Sequence, residues 1–204
     1  MENQIKVIQD FVPNAAIPLL SRYLNYWQFN LVIAKKRITK HGDFRMLSHG
    51  GHQISVNNSA NPYRFLITVV HEIAHLVAFK DFGYSIKPHG KEWKNSYQKL
   101  MIPFLKPEIF PEDLLRLLAN HFKNPKASTD TDLKLVIELD KFDPETEKSY
   151  IFELELGTVF EIHKGRRFVL GSKRKKRYEC EEISTRRKYL FSPHAQVKAI
   201  EKNG

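Results

Sequence analysis

The chain has 204 residues, of which 42% are hydrophobic, and a single cysteine, Cys180. This composition is that of a globular protein, and one cysteine excludes both an intramolecular disulfide and a four-cysteine structural zinc site. The formal net charge of +10 favours polyanionic partners without indicating a fold. Because no secretory signal pattern and no bilayer-length apolar run is visible, we expect a soluble, cytoplasmic protein without a membrane partner.

A helix and three short strands are predicted at the start of the chain. Apolar residues recur at helical spacing between residues 13 and 27, which predicts an amphipathic helix. Residues 29–34, 44–47 and 52–56 are predicted as strands, with a polar turn at residues 39–43. The helix carries no group that suggests chemistry, and we interpret it as a packing element.

The next predicted element is a long helix that is apolar nearly all round. Asn61 is a favourable N-cap, Pro62 suits the first helical position, and Gly83 suits the position just past the end. Almost every side chain between residues 65 and 79 is apolar, so we expect the helix to be buried. Titratable side chains in such a helix would cost several kcal/mol if nothing satisfied them.

This helix carries the motif His71-Glu72-Ile73-Ala74-His75. Residues i and i+4 share one helix face, so His71 and His75 can direct ring nitrogens at one metal ion. Glu72 is displaced by about 100° around the helix axis, which leaves its carboxylate beside the metal, where it can take a proton from a water. The alternative is a chance match with surface histidines and a solvated glutamate, and the expected burial argues against it.

A catalytic zinc ion takes three protein ligands, so a third must come from elsewhere. The best candidate is His89, which follows the turn at Phe82-Gly83 and precedes a second predicted helix at residues 92–104. We expect this second helix to pack antiparallel to the first, and a further amphipathic helix is predicted for residues 111–122. The alternatives are a different third ligand and a loop histidine without a role.

The motif HEIAH, the linker ending at Phe82-Gly83 and the phrase PHGKEWK together resemble the SprT-like metalloprotease family, which includes the eukaryotic Spartan proteases. The resemblance covers residues 10–125. It implies a zincin-like domain, in which an active-site helix lies beside a small mixed sheet, and one catalytic zinc ion bound by His71, His75 and His89. It further implies that a metal-activated water attacks the peptide bond with Glu72 as general base. The implied substrates are proteins or peptides associated with DNA or crosslinked to it, as in DNA–protein crosslink repair.

In zincin-like proteases an edge strand beside the active-site helix binds the extended substrate by main-chain pairing. The resemblance assigns this role to the third predicted strand, through Gln53, Ile54, Ser55, Val56 and Asn57. The alternative is an ordinary edge strand without a substrate.

The sequence changes character after residue 124. Residues 125–132 have the composition of a linker, which divides the chain into a SprT-like domain at residues 1–124 and a C-terminal module at residues 133–204. Short period-two segments, beginning with residues 133–139, predict a small antiparallel β module. Bacterial SprT-like proteins often carry a zinc ribbon in this place, and this chain lacks its cysteines. The expected fold class is therefore α+β.

The C-terminal module contains a basic cluster with aromatic residues interleaved. This arrangement is typical of β modules that hold single-stranded nucleic acid, and its alternative is a solvated basic loop. The rival interpretations of the whole chain are a non-catalytic DNA-binding protein with a vestigial or structural metal site and a metallohydrolase that acts on something other than peptide bonds. The sequence does not determine the oligomeric state. The basic cluster comprises Lys164, Arg166, Arg167, Lys173, Arg174, Lys175, Lys176 and Arg177.

Overall fold

The computed structural model describes residues 6–35, 37, 40–48, 50–59, 61–144 and 147–200, apart from the side chain of Asp130. Two compact units are present, Met1–Pro144 and Glu145–Gly204. The first combines helices with a three-stranded mixed sheet, and the second contains a six-stranded antiparallel sheet. The predicted α+β class is thereby confirmed. No helix in the described ranges is both long and apolar enough to cross a membrane.

Helix α1 and a small sheet lie in the N-terminal half of the first unit. Helix α1 spans Ile17–Trp27, and strands β1, β2 and β3 span Phe29–Ala34, Gly42–Met46 and His52–Asn57. The strand order is β1-β3-β2, with β1 parallel and β2 antiparallel to β3. Ile54 and Val56 of β3 are almost completely buried, as expected for a central strand.

The central place of β3 corrects one prediction. Gln53, Ile54, Ser55, Val56 and Asn57 were expected to form the edge strand that binds substrate, and this is wrong because β3 is paired on both sides. The outer strands of this sheet are β1 and β2. The local sequence pattern shows where strands lie. It does not show that β3 returns to pair in parallel with β1.

The long buried helix is α2, which spans Pro62–Phe82. The Asn61 side chain accepts hydrogen bonds from the backbone N–H groups of Tyr63 and Arg64, so it caps the helix as predicted. Gly83 ends it with a φ of 75°, and its N–H donates to the carbonyl of Phe79. Most of the side chains between residues 65 and 78 are buried in the core.

Three further helices complete the first unit. Helix α3 spans Lys91–Met101 and packs against α2, helix α4 spans Glu112–His121, and helix α5 spans Leu133–Asp140. The prediction of a strand at residues 133–139 is wrong. Apolar residues alternate there, but Leu135 and Leu139 are also four apart and form the buried face of a helix that Asp132 caps.

Helix α5 is anchored to the start of α2. The Asn61 amide donates to the carbonyl of Leu139 at 2.8 Å, and Arg64 forms ion pairs with Asp140 and Asp143. Residues 133–144 therefore belong to the first compact unit, and residues 125–132 form a loop inside that unit.

The second unit is a small antiparallel sheet with its own core. Strand order is β4-β9-β5-β6-β7-β8, and the buried core contains Phe160, Phe168, Leu170 and Cys180. The final strand, β9, is one that the sequence did not indicate. The strand bounds are Ser149–Tyr150 for β4, Val159–Ile162 for β5, Arg166–Arg174 for β6, Arg177–Glu182 for β7, Lys188–Phe191 for β8 and Gln196–Ile200 for β9.

Candidate metal centre

Three histidine rings converge at one point of the first unit. The Nε2 atom of His75 lies 3.2 Å from that of His71 and 3.1 Å from that of His89, and the third side of the triangle, His71 to His89, is 3.3 Å. Within the described residues this is the one group of three or more His, Cys, Asp or Glu side chains with ligand atoms close enough to hold a metal ion. The structure thus brings together the three histidines singled out from the sequence.

Two helices and a tight turn produce this convergence. His71 and His75 are one turn apart on α2, so their rings share a face. His89 lies in the turn just before α3 and has a left-handed backbone, with a φ of 57°. Such a conformation is uncommon outside glycine and persists where the surroundings enforce it. Here the N–H of Gly90 donates to the carbonyl of Lys87 at 2.8 Å and closes the turn around His89.

The Trp93 ring lies against all three histidines. Its centroid is 4.7 Å from the rings of His71 and His89 and 5.3 Å from that of His75. Trp93 is completely buried, and Tyr97 follows it one turn later with its ring 5.3 Å from His71. The sequence showed these aromatic residues as one face of α3, but not that this face supports the histidine rings.

The histidine rings are held neutral. Burial, reinforced by the neighbouring histidines, lowers the pKa of His71 to about 3, and burial with the adjacent His89 lowers that of His75 to about 4. Burial also lowers the pKa of His89. Neutral imidazole is the form that binds metals, so three lone pairs are available to one ion at neutral pH. The donor set therefore fits a metal ion.

Glu72 is a buried carboxylate on the same helix, with 7% of its surface exposed. Burial, together with the nearby Asp43, raises its pKa to about 8. Arg37, Lys40 and the backbone amide of Phe44, which acts as a hydrogen-bond donor, offset part of this rise.

A cleft of about 590 Å³ runs past the histidines and Glu72. One wall is β2 with the two residues before it, and the opposite wall is the loop that was predicted as an interdomain linker. No local pattern marks that loop as part of a site, because its place depends on how α4 and α5 pack. The wall residues are Lys40, His41, Gly42, Asp43 and Phe44 on one side and Lys126, Ala127, Ser128 and Thr129 on the other.

The predicted substrate strand lies elsewhere. None of Gln53 to Asn57 is among the described residues that line the cleft. Instead the side chains of Ser55 and Asn57 accept hydrogen bonds from Arg37, at 2.9 and 2.7 Å. These polar residues of β3 therefore fasten the chain segment that leads into β2.

All eight members of the C-terminal basic cluster are exposed in the second unit. Three of them already pair with carboxylates: Arg166 with Glu182, Arg167 with Glu161 and Arg174 with Glu179. Lys173 lies over the Tyr178 ring. Lys164 lies in the turn before β6, and Lys175, Lys176 and Arg177 follow Arg174 in the β6–β7 hairpin.

Part of the chain is similar to a known protein family. The SprT-like family model matches residues 27–109. Two curated relatives, each named Protein SprT, come from Pseudomonas savastanoi pv. phaseolicola and Pseudomonas aeruginosa. They are 63% and 59% identical to this chain over 27 residues, which are 13% of this chain and 16% of each relative. The matched segment spans only about a sixth of the length of these relatives. No solved structure matches the chain. The resemblance seen in the sequence is thus confirmed over residues 27–109, which match the SprT-like family model and hold the three histidines and Glu72.

Proposed function

We propose that the chain is a zinc-dependent endopeptidase of the SprT-like type. The observation that carries this proposal is the triangle of three Nε2 atoms beside a buried carboxylate. Tetrahedral zinc with Zn–N distances of about 2.0–2.1 Å requires ligand atoms about 3.3–3.4 Å apart. The observed separations of 3.1–3.3 Å are close to this, and three ligands leave one position for chemistry.

In this proposal His71, His75 and His89 hold the ion. Zinc bound there would polarise the scissile carbonyl and lower the pKa of water to about 7. Glu72 accepts the proton of the attacking water on a carboxylate oxygen and later gives it to the leaving amine. Its raised pKa suits this exchange, since a base works best with a pKa near the working pH, and a nearby cation favours its ionised form.

We place the substrate along β2. The two hydrogen bonds at the ends of this strand, from Asn57 N–H to His41 O and from Leu47 N–H to Gly51 O, both use odd-numbered residues on the β2 side. Hydrogen-bonded positions alternate in an antiparallel pair, so the even-numbered residues direct their backbone groups away from β3. An extended peptide can add to that edge by main-chain pairing, which tolerates many side chains. The residues whose backbone groups face outward are Gly42, Phe44 and Met46; the Phe44 N–H already donates to Glu72, so a peptide would pair with the remaining groups.

We further propose that the protein substrates are bound or crosslinked to DNA. The exposed basic cluster of the second unit supports this proposal, as does a second cavity of about 450 Å³ that shares His89 with the metal centre. Four lysines line this cavity, and none of them has an ion-pair partner within the described ranges. They are Lys87, Lys91, Lys94 and Lys123.

The first test is metal content and hydrolysis measured together. Purified wild type should hold about one zinc ion, His89→Ala should hold almost none, and Glu72→Gln should keep the ion while losing cleavage of an unstructured protein substrate. Wild type that neither holds nor takes up metal would refute the proposal. Metal binding without cleavage, combined with DNA binding that Glu72→Gln leaves unchanged, would favour the non-catalytic DNA-binding alternative.

The role of DNA is tested separately. Binding of a labelled single-stranded oligonucleotide should weaken steeply with salt, because phosphate contacts release counterions. Lys91→Glu should weaken it further, and Lys106→Glu, which reverses an exposed lysine that does not line this cavity, serves as a matched change of charge. Equal effects of the two substitutions would show that net charge, rather than the lysine-lined cavity, governs binding.

A further inference from the structure

Strand β2 approaches Glu72 unusually closely at Gly42. A Cβ atom added to Gly42 would lie 2.5 Å from Oε1, 2.7 Å from Cγ and 2.9 Å from Cδ of Glu72. These distances are far shorter than contacts between carbon or oxygen atoms that are not bonded to each other. Any side chain at this position would therefore have to displace the carboxyl group of Glu72.

The backbone conformation of Gly42 gives no other reason for a glycine. Its φ lies outside the left-handed region, in contrast to Gly50 and Gly51 in the following turn, with φ values of 80° and 93°. Nothing lies within 4 Å of a Cβ built on either of those two residues. Glycine within a strand often marks a site where another group approaches the backbone closely, and here that group is Glu72.

The contact limits where the carboxylate can go. Glu72 is buried, and the Phe44 amide, two residues along the outward edge of β2, donates to its carboxylate. Two residues of β2 therefore limit the position of one carboxyl group. Gly42 leaves room for it by having no side chain, and the Phe44 amide donates a hydrogen bond to it.

We infer that Gly42 is a positioning residue for Glu72, and that the strand edge we assign to the substrate also sets the place of the general base. This inference rests on the proposed function. An alanine methyl group would push the Glu72 carboxyl group by close to an ångström, because separations of 2.5–2.9 Å must open to ordinary contact. A shift of about 1 Å in a reacting group can reduce the rate about 100-fold.

The kinetic experiment compares Gly42→Ala with wild type in the full chain. We expect unchanged zinc content, because the substitution does not touch the three histidines, a KM within about threefold of wild type, and a kcat lower by about 100-fold. The matched control is Gly51→Ala, beyond β2 in the same hairpin, where the added Cβ would meet nothing within 4 Å. It should destabilise the turn because of its positive φ, yet leave kcat unchanged.

A second readout needs neither metal nor activity. Glu72→Ala removes all three atoms that an alanine at residue 42 would strike. In metal-free protein, Gly42→Ala should lower the urea midpoint when Glu72 is present and should not lower it in the Glu72→Ala background. Equal losses in the two backgrounds would overturn the contact and the inference with it.

The outcomes separate this inference from the proposed function. Wild type that hydrolyses protein and a Gly42→Ala variant that does so equally fast would overturn the positioning role and leave the peptidase proposal intact. Wild type that binds zinc and cleaves nothing would overturn the peptidase proposal, and with it the inference that Gly42 positions a general base. A drop in kcat matched by Gly51→Ala would also overturn the inference, since a general loss of stability would explain both.

Discussion

Glu72 allows a quantitative prediction for the metal-free protein, because burial raises the pKa of its carboxyl group from 4.5 to about 8. The folded state therefore binds this proton more tightly than the unfolded state does. Ionisation of Glu72 does not change the unfolding free energy below pH 4.5, and it lowers the unfolding free energy as the pH rises from 4.5 to about 8. At about 1.36 kcal/mol per pKa unit, the loss reaches about 5 kcal/mol.

We expect Glu72→Gln to remove this pH dependence. Urea unfolding of metal-free wild type and Glu72→Gln, measured below pH 4.5 and near pH 8, should show the variant gaining several kcal/mol on wild type only at the higher pH. The neighbouring histidines titrate in both proteins, so their contribution largely cancels. The control is Glu112→Gln, which makes the same chemical change at an exposed position of α4. A difference between wild type and Glu72→Gln that is the same at both pH values would refute the reasoning.

Three further predictions concern the metal centre and the helix that carries it. Cobalt binding should quench the emission of Trp93, whose ring centroid lies within 5.3 Å of those of His71, His75 and His89, when Trp27→Phe removes the other tryptophan; quenching that survives in His75→Ala would contradict the assigned site. Zinc at 100 times its dissociation constant should raise the unfolding free energy of wild type by about 2.7 kcal/mol, and His75→Ala should not respond. Asn61→Ala should cost about 2–3 kcal/mol in urea unfolding, because it removes the cap of α2 and leaves a buried α5 carbonyl without its donor; a cost below about 0.5 kcal/mol would show that water replaces these contacts.

The parts of the site that were predictable are those set by spacing along one helix. The i, i+4 relation of His71 and His75 holds in any α-helix, and Asn61, Pro62 and Gly83 mark the ends of that helix through local hydrogen bonding and backbone preference. The place of His89 required more than spacing. Its position after the Phe82-Gly83 turn made it the best candidate, the family resemblance implied it as a ligand, and the structure brings it to the other two histidines.

The strand prediction for residues 133–139 and the linker interpretation of residues 125–132 both depend on local patterns that a second structure also satisfies. The apolar residues of 133–139 alternate as in a strand, yet Leu135 and Leu139 also fit one face of a helix, and the contacts of α5 with Asn61 and Arg64 favour the helix. Residues 125–132 have a linker's composition, but α5 returns to the first unit and holds them there as one wall of the cleft.

The sequence by itself determined the long buried helix, its caps, and the facing pair of histidines with Glu72 between them, because each depends on residues within a few positions of one another. Tertiary structure alone decided which strand borders the cleft. β3 pairs in parallel with β1 and antiparallel with β2, so it is the central strand. β2 is therefore an edge strand, and its Gly42 lies against Glu72. Strand order is a matter of pairing between distant segments, and the period-two pattern of a strand contains no information about its partner.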